Sequence, residues 1–201
     1  MHPSQMAQQR IVAPEGTYHV MSRGNYRSVI FPDSEHAQRW LQLLTRVAAK
    51  RRWTVIDWCL MPNHFHLLVK LADGGLSIGM QELNGCYSRW SNAIHDRTGT
   101  GHLVRNRFKS LPVTDDQYLL QLLRYLPRNP IAAQLTVSLE AWPWSGYRAI
   151  AGLEHPQPFH RPAEALCLFS HSPAEAQRRY MIHVATNQVQ SGPDPWSDHE
   201  D

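Results

Sequence analysis

The stretch Met61-Pro62-Asn63-His64-Phe65-His66-Leu67-Leu68-Val69-Lys70 predicts a turn followed by a β-strand that carries two histidines. Successive side chains of a strand point to opposite faces, so His64 and His66 share one face. The opposite face is wholly apolar and predicts core: Phe65, Leu67, Val69 and Leu71. Two neighbouring imidazoles on a rigid strand can bind a divalent metal ion. Because His-x-His is a short motif, two strand histidines that merely contact solvent are the alternative.

The segments around this strand predict a small α+β fold. Strands are expected over 17–23, 53–60, 65–71 and 108–113. Helices are expected from Asp33 or Ser34, from Leu76 to an end near 97–99, and from Thr114. Thr114 would cap the last helix and Gln117 would complete a capping box. The order is βαββαβ plus one helix, which predicts a ferredoxin-like (RRM-like) antiparallel sheet. Two helices would cover one sheet face, and the histidines would lie on the other.

Length and composition suggest one main domain with extensions. We expect a flexible arm over residues 1–16, a main domain over 17–150, and a small C-terminal appendage over 151–201 with an acidic, disordered tail. No segment resembles a membrane span or a secretory signal. The three cysteines are widely spaced and odd in number, which favours a reduced, cytoplasmic protein.

Positive charge is concentrated in the first three quarters of the chain. Residues 1–151 contain 17 Lys or Arg against 10 Asp or Glu, whereas residues 152–201 contain 3 against 7. Arginine-rich surfaces suit phosphate backbones, although a mildly basic surface without a ligand would look the same. Two clusters are candidates for DNA contacts on charge and position: Arg23, Asn25 and Arg27, then Arg105, Arg107 and Lys109.

The last predicted helix brings a possible nucleophile. Tyr125 and Asn129 lie one helical turn apart and project the same way. If this helix crosses the histidine face, His64, His66 and the Asn129 amide oxygen could hold Mg²⁺ or Mn²⁺, and the Tyr125 hydroxyl could attack a phosphodiester. Another tyrosine, Tyr87, lies on the apolar stripe of its helix, which favours packing.

Several segments together resemble the REP-associated tyrosine transposases, within the IS200/IS605-like Y1 group of HUH enzymes. They are 18–25 (YHVMSRGN), 61–68 (MPNHFHLL), 101–109 (GHLVRNRFK), 124–130 (RYLPRNP) and 142–147 (WPWSGY). The resemblance covers about residues 17–150. It implies a single-stranded DNA endonuclease and strand transferase that acts at hairpin-forming repeats.

By this resemblance, His64 and His66 match the HUH pair, Tyr125 the nucleophile that forms a 5′-phosphotyrosine, and Asn129 the third metal ligand. It implies a bacterial, nucleoid-associated protein that acts as a monomer or homodimer. Pro127 departs from the family pattern, and it predicts that the helix ends early or that the metal site is altered. The departure keeps open a non-catalytic DNA-binding protein domesticated from a transposase. A structural zinc module is a third, weaker alternative, because no cysteine ligand lies near the histidines.

Overall fold

Four antiparallel strands form one sheet in the order β2-β3-β1-β4. The structure, a computed structural model, describes residues 15–96, 103–104 and 108–186. The strands are β1 (Gly16–Arg23), β2 (Thr54–Met61), β3 (His64–Leu71) and β4 (Lys109–Val113). The expected βαββαβ order and the ferredoxin-like sheet are confirmed. The predicted arm and acidic tail lie outside the described residues, apart from the short stretch from residue 15 to residue 16.

Helices cover both faces of the sheet. Helices α1 (Ser34–Arg51) and α2 (Leu76–Ile94) pack on one face, and α3 (Asp116–Ala132) packs on the other. Three shorter helices, α4 (Tyr147–Ile150), α5 (Pro162–Leu166) and α6 (Pro173–Ala185), join α3 there. In the described ranges, no helix is both long and apolar enough to cross a membrane.

The alternation of β3 separates two hydrophobic cores. Phe65 and its apolar neighbours lie in the core under α1 and α2, whereas Leu68 lies in the core under α3. Tyr87 belongs to the first core, and its hydroxyl donates a hydrogen bond to the carbonyl of Ile30. The prediction that Tyr87 is a packing residue is therefore confirmed.

Two helix ends differ from the sequence prediction. Asp115, not Thr114, caps α3: its carboxylate accepts a hydrogen bond from the backbone N–H of Tyr118 at 2.8 Å. A carboxylate is the stronger acceptor, and the Thr114 hydroxyl donates to it instead. Helix α2 ends at Ile94, before the 97–99 segment where its end was expected, and Asp96 follows with a left-handed φ of 50°.

Helix α3 continues through both of its prolines. It contains Pro127 and Pro130 and extends to Ala132, so of the two alternatives at Pro127 the early helix end is wrong. Proline lacks an N–H, and Pro130 therefore cannot donate to the carbonyl of Leu126, four residues before it. The side-chain Nδ2 of Asn129 donates to that carbonyl at 3.3 Å and to the Tyr125 carbonyl at 2.8 Å. The asparagine thus replaces a missing helical hydrogen bond.

The chain after α3 covers the outer edge of β2. Gly146 donates to the Trp58 carbonyl at 2.8 Å, and Arg161 donates to the Val55 carbonyl at 2.9 Å, both through backbone N–H groups. A Cβ on Gly146 would lie 2.3 Å from Oδ1 of Asp57, so only glycine fits this approach. These contacts satisfy strand groups that would otherwise be an open edge.

Asp57 makes stability depend on pH. Burial raises the pKa of this carboxyl to about 8. Because its pKa in the unfolded chain is near ~4, the folded state binds more protons between these values, and stability falls as pH rises from about 4 to about 8. We expect Asp57→Asn to increase the free energy of unfolding more at pH 8 than at pH 5. Urea denaturation at both pH values measures this. An equal change at both would show that Asp57 is ionised in the folded protein.

Candidate active site

His64 and His66 lie side by side under α3. Their ring centroids are 5.1 Å apart, and the rings are nearly perpendicular. His64 is half-buried, whereas His66 has no exposed surface. Both share the sheet face of Leu68, as the alternation predicts, but that face is covered. The alternative of two histidines that merely contact solvent is therefore wrong for His66.

Burial keeps both imidazoles neutral. It lowers the pKa of His64 to about 4, with the charge of Arg23 contributing. Burial also lowers the pKa of His66 well below its ordinary value, and the neighbouring His19 and His64 add to the effect. The neutral imidazole is the form that binds a metal ion, so neither residue must lose a proton first at neutral pH.

The neighbour of His64 determines its tautomer. Oδ1 of Asn63 lies 2.7 Å from Nδ1 of His64. An amide oxygen only accepts, so Nδ1 of His64 carries the hydrogen and Nε2 carries the lone pair. This is the arrangement in which metal-binding histidines are commonly oriented.

His19 on β1 is a site residue that the sequence reasoning missed. It is fully buried, and its Nε2 lies 3.0 Å from Nδ1 of His66, with the two rings stacked at 5.2 Å. In the described part of the chain, Nε2 of His66 is buried and has no hydrogen-bond partner. The signal was present in β1: Tyr18 and Val20 belong to the opposite core, so His19 had to face the histidine side.

Tyr125 reaches the histidines from α3. Its ring meets the rings of His66 and His19 edge to face, with centroid distances of 5.6 Å and 6.2 Å. Tyr125 is half-buried at the margin of the second core. Helix α3 crosses the histidine face, which was the condition for the candidate site, and it brings Tyr125 to His66 and His19 within one chain.

The C-terminal helix α6 fixes the position of α3. Arg124 donates from Nε to the His183 carbonyl at 2.9 Å, and Arg128 donates from Nη1 to the Val184 carbonyl at 2.8 Å. Nε2 of His183 lies 2.8 Å from the carbonyl of Leu120 on α3. The two arginines flank Tyr125 and satisfy carbonyls at the end of α6, where cations are favourable. Residues beyond 150 thus support the helix that carries Tyr125.

Asn129 differs from the other candidate ligands. The two hydrogen bonds of its amide nitrogen both end on carbonyls of α3 itself. They do not involve its Oδ1, the atom that a metal ion would require. In the described ranges, no cluster of three or more His, Cys, Asp or Glu side chains could hold a metal ion. The structure places His64 beside His66, whereas the hydrogen bonds of the Asn129 amide nitrogen stay within α3.

Some of the predicted DNA contacts surround the histidines. Arg23 is the direct β1 partner of His64, and Lys109 on β4 pairs with Met21, which pairs with His66. Arg23, Lys109 and the two histidines therefore belong to the same sheet face. Asn25 and Arg27 lie just beyond β1 in a 3₁₀ turn, Asn25–Arg27. The remaining candidates, Arg105 and Arg107, lie outside the described residues.

The chain belongs to the family of IS200-like transposases. The family model described as "Transposase IS200 like" matches residues 13–129, more than half of the chain. This confirms the resemblance found in the sequence at the level of the family. No curated protein matches the chain.

A solved structure with the same fold is that of a REP-associated tyrosine transposase bound to a REP hairpin, with TM-score 0.62 and 20% identity over 74% of this chain and 88% of that chain. A putative transposase from Deinococcus radiodurans R1 has TM-score 0.43 and 21% identity, over 60% of this chain and 95% of that chain.

Proposed function

We propose that this protein nicks and rejoins single-stranded DNA at hairpin-forming repeats through a 5′-phosphotyrosine on Tyr125. The observation that carries the proposal is the contact of the Tyr125 ring with His66, a neutral histidine paired with His64 on a rigid strand. Membership of a transposase family supports this chemistry. The hairpin substrate is supported by the related structure, whose protein is bound to a REP hairpin.

The chain's own residues supply the nucleophile of the covalent step. The Tyr125 oxygen forms a bond to phosphorus, the bond from phosphorus to O3′ breaks, and the phenolic proton ends on the released 3′-hydroxyl. Rejoining is the same exchange in reverse, with a 3′-hydroxyl as the attacking group. Arg23 and Lys109, on the same sheet face as the histidines, favour the approach of an anionic strand.

The two histidines fit a divalent cation, which we propose to be Mg²⁺ or Mn²⁺. Nε2 of His66 is a buried nitrogen without a partner in the described ranges, and the Asn63 contact leaves Nε2 of His64 with its lone pair. Mixed nitrogen and oxygen ligands suit Mn²⁺, and Mg²⁺ is accepted when phosphate and water oxygens complete the shell. When bound, the ion would stabilise charge on the phosphate oxygens. His19 would act as a positioning residue, because it can accept the Nδ1 hydrogen of His66.

His64 is the accessible member of the histidine pair. Asn63 and His64 are half-buried, whereas His66 and His19 are fully buried. We therefore expect a phosphate to approach on the His64 side, near the turn between β2 and β3. Because Tyr125 and His66 belong to one chain, we propose that a monomer contains a complete site.

A second function follows from Asn129. Its amide nitrogen is hydrogen-bonded to α3 itself, so only its oxygen is left to bind a metal ion. If it does not, two protein ligands remain, and the protein could be a DNA-binding relative that has lost catalysis. The two functions differ in one product, a covalent protein–DNA adduct.

The test uses the full chain and hairpin DNA with single-stranded flanks. With Mn²⁺ or Mg²⁺ we expect a protein–oligonucleotide adduct that survives denaturing electrophoresis, together with a free 3′-hydroxyl fragment. Removing the metal with EDTA should abolish the adduct and leave hairpin binding measurable. Hairpin binding without an adduct at any metal concentration would favour the non-catalytic function.

A further inference from the structure

Tyr26 stands out of the protein surface in an unfavourable backbone conformation. Its side chain is 103% exposed, the highest value among the large hydrophobic residues of the described ranges. Tyr26 and Arg27 have left-handed φ angles of 52° and 58°. Two consecutive non-glycine residues in this region are costly, and such strain persists only where the surroundings enforce it.

Hydrogen bonds to the β2–β3 turn enforce this conformation. The backbone N–H of Gly24 donates to the Asn63 carbonyl at 2.8 Å, and Nδ2 of Asn63 donates to the Arg27 carbonyl at 3.3 Å. Ile30 donates to the carbonyl of Pro62 at 2.7 Å. A Cβ on Gly24 would lie 2.2 Å from the Ser28 carbonyl oxygen, so the loop closes tightly at this glycine. We call residues 24–28 the Tyr26 loop.

Asn63 connects the Tyr26 loop to the candidate site. The oxygen of its side chain orients His64, and the nitrogen of the same amide holds the loop through Arg27. The loop also follows directly after Arg23, the β1 partner of His64. The loop that carries the exposed ring is therefore attached, through the Asn63 side chain and the end of β1, to His64, the more accessible histidine of the pair.

The charge around the Tyr26 loop indicates which class of partner the Tyr26 ring suits. Between Gly16 and Pro32 the sequence contains Arg23 and Arg27 and no acidic residue. Exposed aromatic rings beside guanidinium groups bind single-stranded nucleic acid, in which bases stack on the rings and phosphates meet the cations. A protein partner would also bury an exposed tyrosine, but this basic loop is linked through Asn63 to a site proposed to take a phosphodiester.

We propose that Tyr26 is a stacking platform for an unpaired nucleobase of the DNA strand that enters the site. This inference rests on the proposed function and adds a contact to it. The strained loop keeps the ring away from the protein surface before DNA arrives, so little ordering is needed on binding. Stacking is tolerant of sequence, so Tyr26 would position the strand beside His64 without selecting a particular base.

The test measures binding only, with Tyr125→Phe as the parent protein so that no cleavage intervenes. Two DNAs are compared: a hairpin with single-stranded flanks and the same hairpin with blunt ends. Adding Tyr26→Ala should weaken binding to the flanked hairpin roughly 10- to 100-fold, the loss expected for one stacked base, and leave the blunt hairpin unchanged. Tyr26→Phe should bind like the parent.

Two further variants distinguish stacking from damage to the fold. Tyr26→Gly removes the ring and suits the left-handed backbone, so it should melt no lower than the parent yet bind the flanked hairpin as weakly as Tyr26→Ala. Val137→Ala removes another exposed apolar side chain, 97% exposed, and should change neither measurement. In the same assay, 2-aminopurine in the flank should lose fluorescence with the parent and keep it with Tyr26→Ala.

Equal affinities of the parent and Tyr26→Ala for the flanked hairpin would overturn the stacking role, whether or not the wild-type protein cleaves DNA. A ring that instead serves a protein partner would give this same result. Wild-type protein that binds but forms no adduct would overturn the proposed function and leave the stacking result standing. A parent protein that binds neither DNA would overturn both.

Discussion

Tyr125→Phe abolishes the covalent adduct while hairpin DNA still binds with nearly wild-type affinity: this is the expected result with the largest effect. The substitution removes only the oxygen that would bond to phosphorus, and it keeps the ring that packs edge to face on His66 and His19. Adduct formation is measured by denaturing electrophoresis with labelled hairpin DNA and Mn²⁺, and affinity by a gel shift.

Tyr118→Phe is the matched control. Tyr118 lies two turns earlier on the same helix and packs against the same core, and its phenol is also half-buried. The control should retain the adduct. Tyr87→Phe should retain it as well, because the Tyr87 hydroxyl is occupied by the Ile30 carbonyl in the other core. An adduct that survives Tyr125→Phe but is lost in either control would assign the nucleophile elsewhere.

The fold could be predicted from the sequence because strand alternation and helical periodicity are local. The alternation of β3 identified one core and placed both histidines on the opposite face. The sequence left open whether α3 crosses that face. The spacing of Tyr125 and Asn129 predicted only that both residues project the same way. Contacts between residues near in sequence are enough for such inferences.

The features that the sequence did not predict depend on contacts between distant segments. The pairing of His19 with His66 joins residues 47 positions apart, and it follows from strand register rather than from any motif. The continuity of α3 through its prolines depends on how a side chain satisfies a carbonyl. An early helix end at Pro127 was one of the two predicted outcomes, because proline removes a helical hydrogen bond. At Pro130 the side-chain amide of Asn129 replaces the lost hydrogen bond, because it donates to the Leu126 carbonyl.

The contacts between α3 and α6 also join segments that are distant in the sequence. Arg124 and Arg128 could be recognised as basic residues beside the tyrosine, and a DNA contact would have been an equally good interpretation. The structure shows both guanidinium groups donating to carbonyls at the end of α6. Only the three-dimensional arrangement distinguishes a phosphate contact from a helix cap.

Removing either imidazole of the pair should abolish metal binding and, with it, adduct formation. We expect His66→Ala and His64→Ala each to lose bound Mn²⁺, measured as free Mn²⁺ by electron paramagnetic resonance, and to form no adduct at Mn²⁺ concentrations that saturate the wild-type protein. His64→Ala is the more informative of the two, because His64 is half-buried and its loss disturbs the core less.

His19→Ala should have an intermediate effect, and His160→Asn is the control. His19→Ala should raise the Mn²⁺ concentration for half-maximal adduct formation about 10–100-fold, and saturating Mn²⁺ should restore activity. The reason is that His19 orients the metal ligand His66 but is not itself a ligand. His160→Asn removes another fully buried imidazole, one bound to the Ile56 carbonyl, and should leave Mn²⁺ binding unchanged. If His64→Ala binds Mn²⁺ like the wild-type protein, the histidine pair is not the metal site. If His19→Ala stays inactive at saturating Mn²⁺, His19 acts in the reaction itself and not through His66.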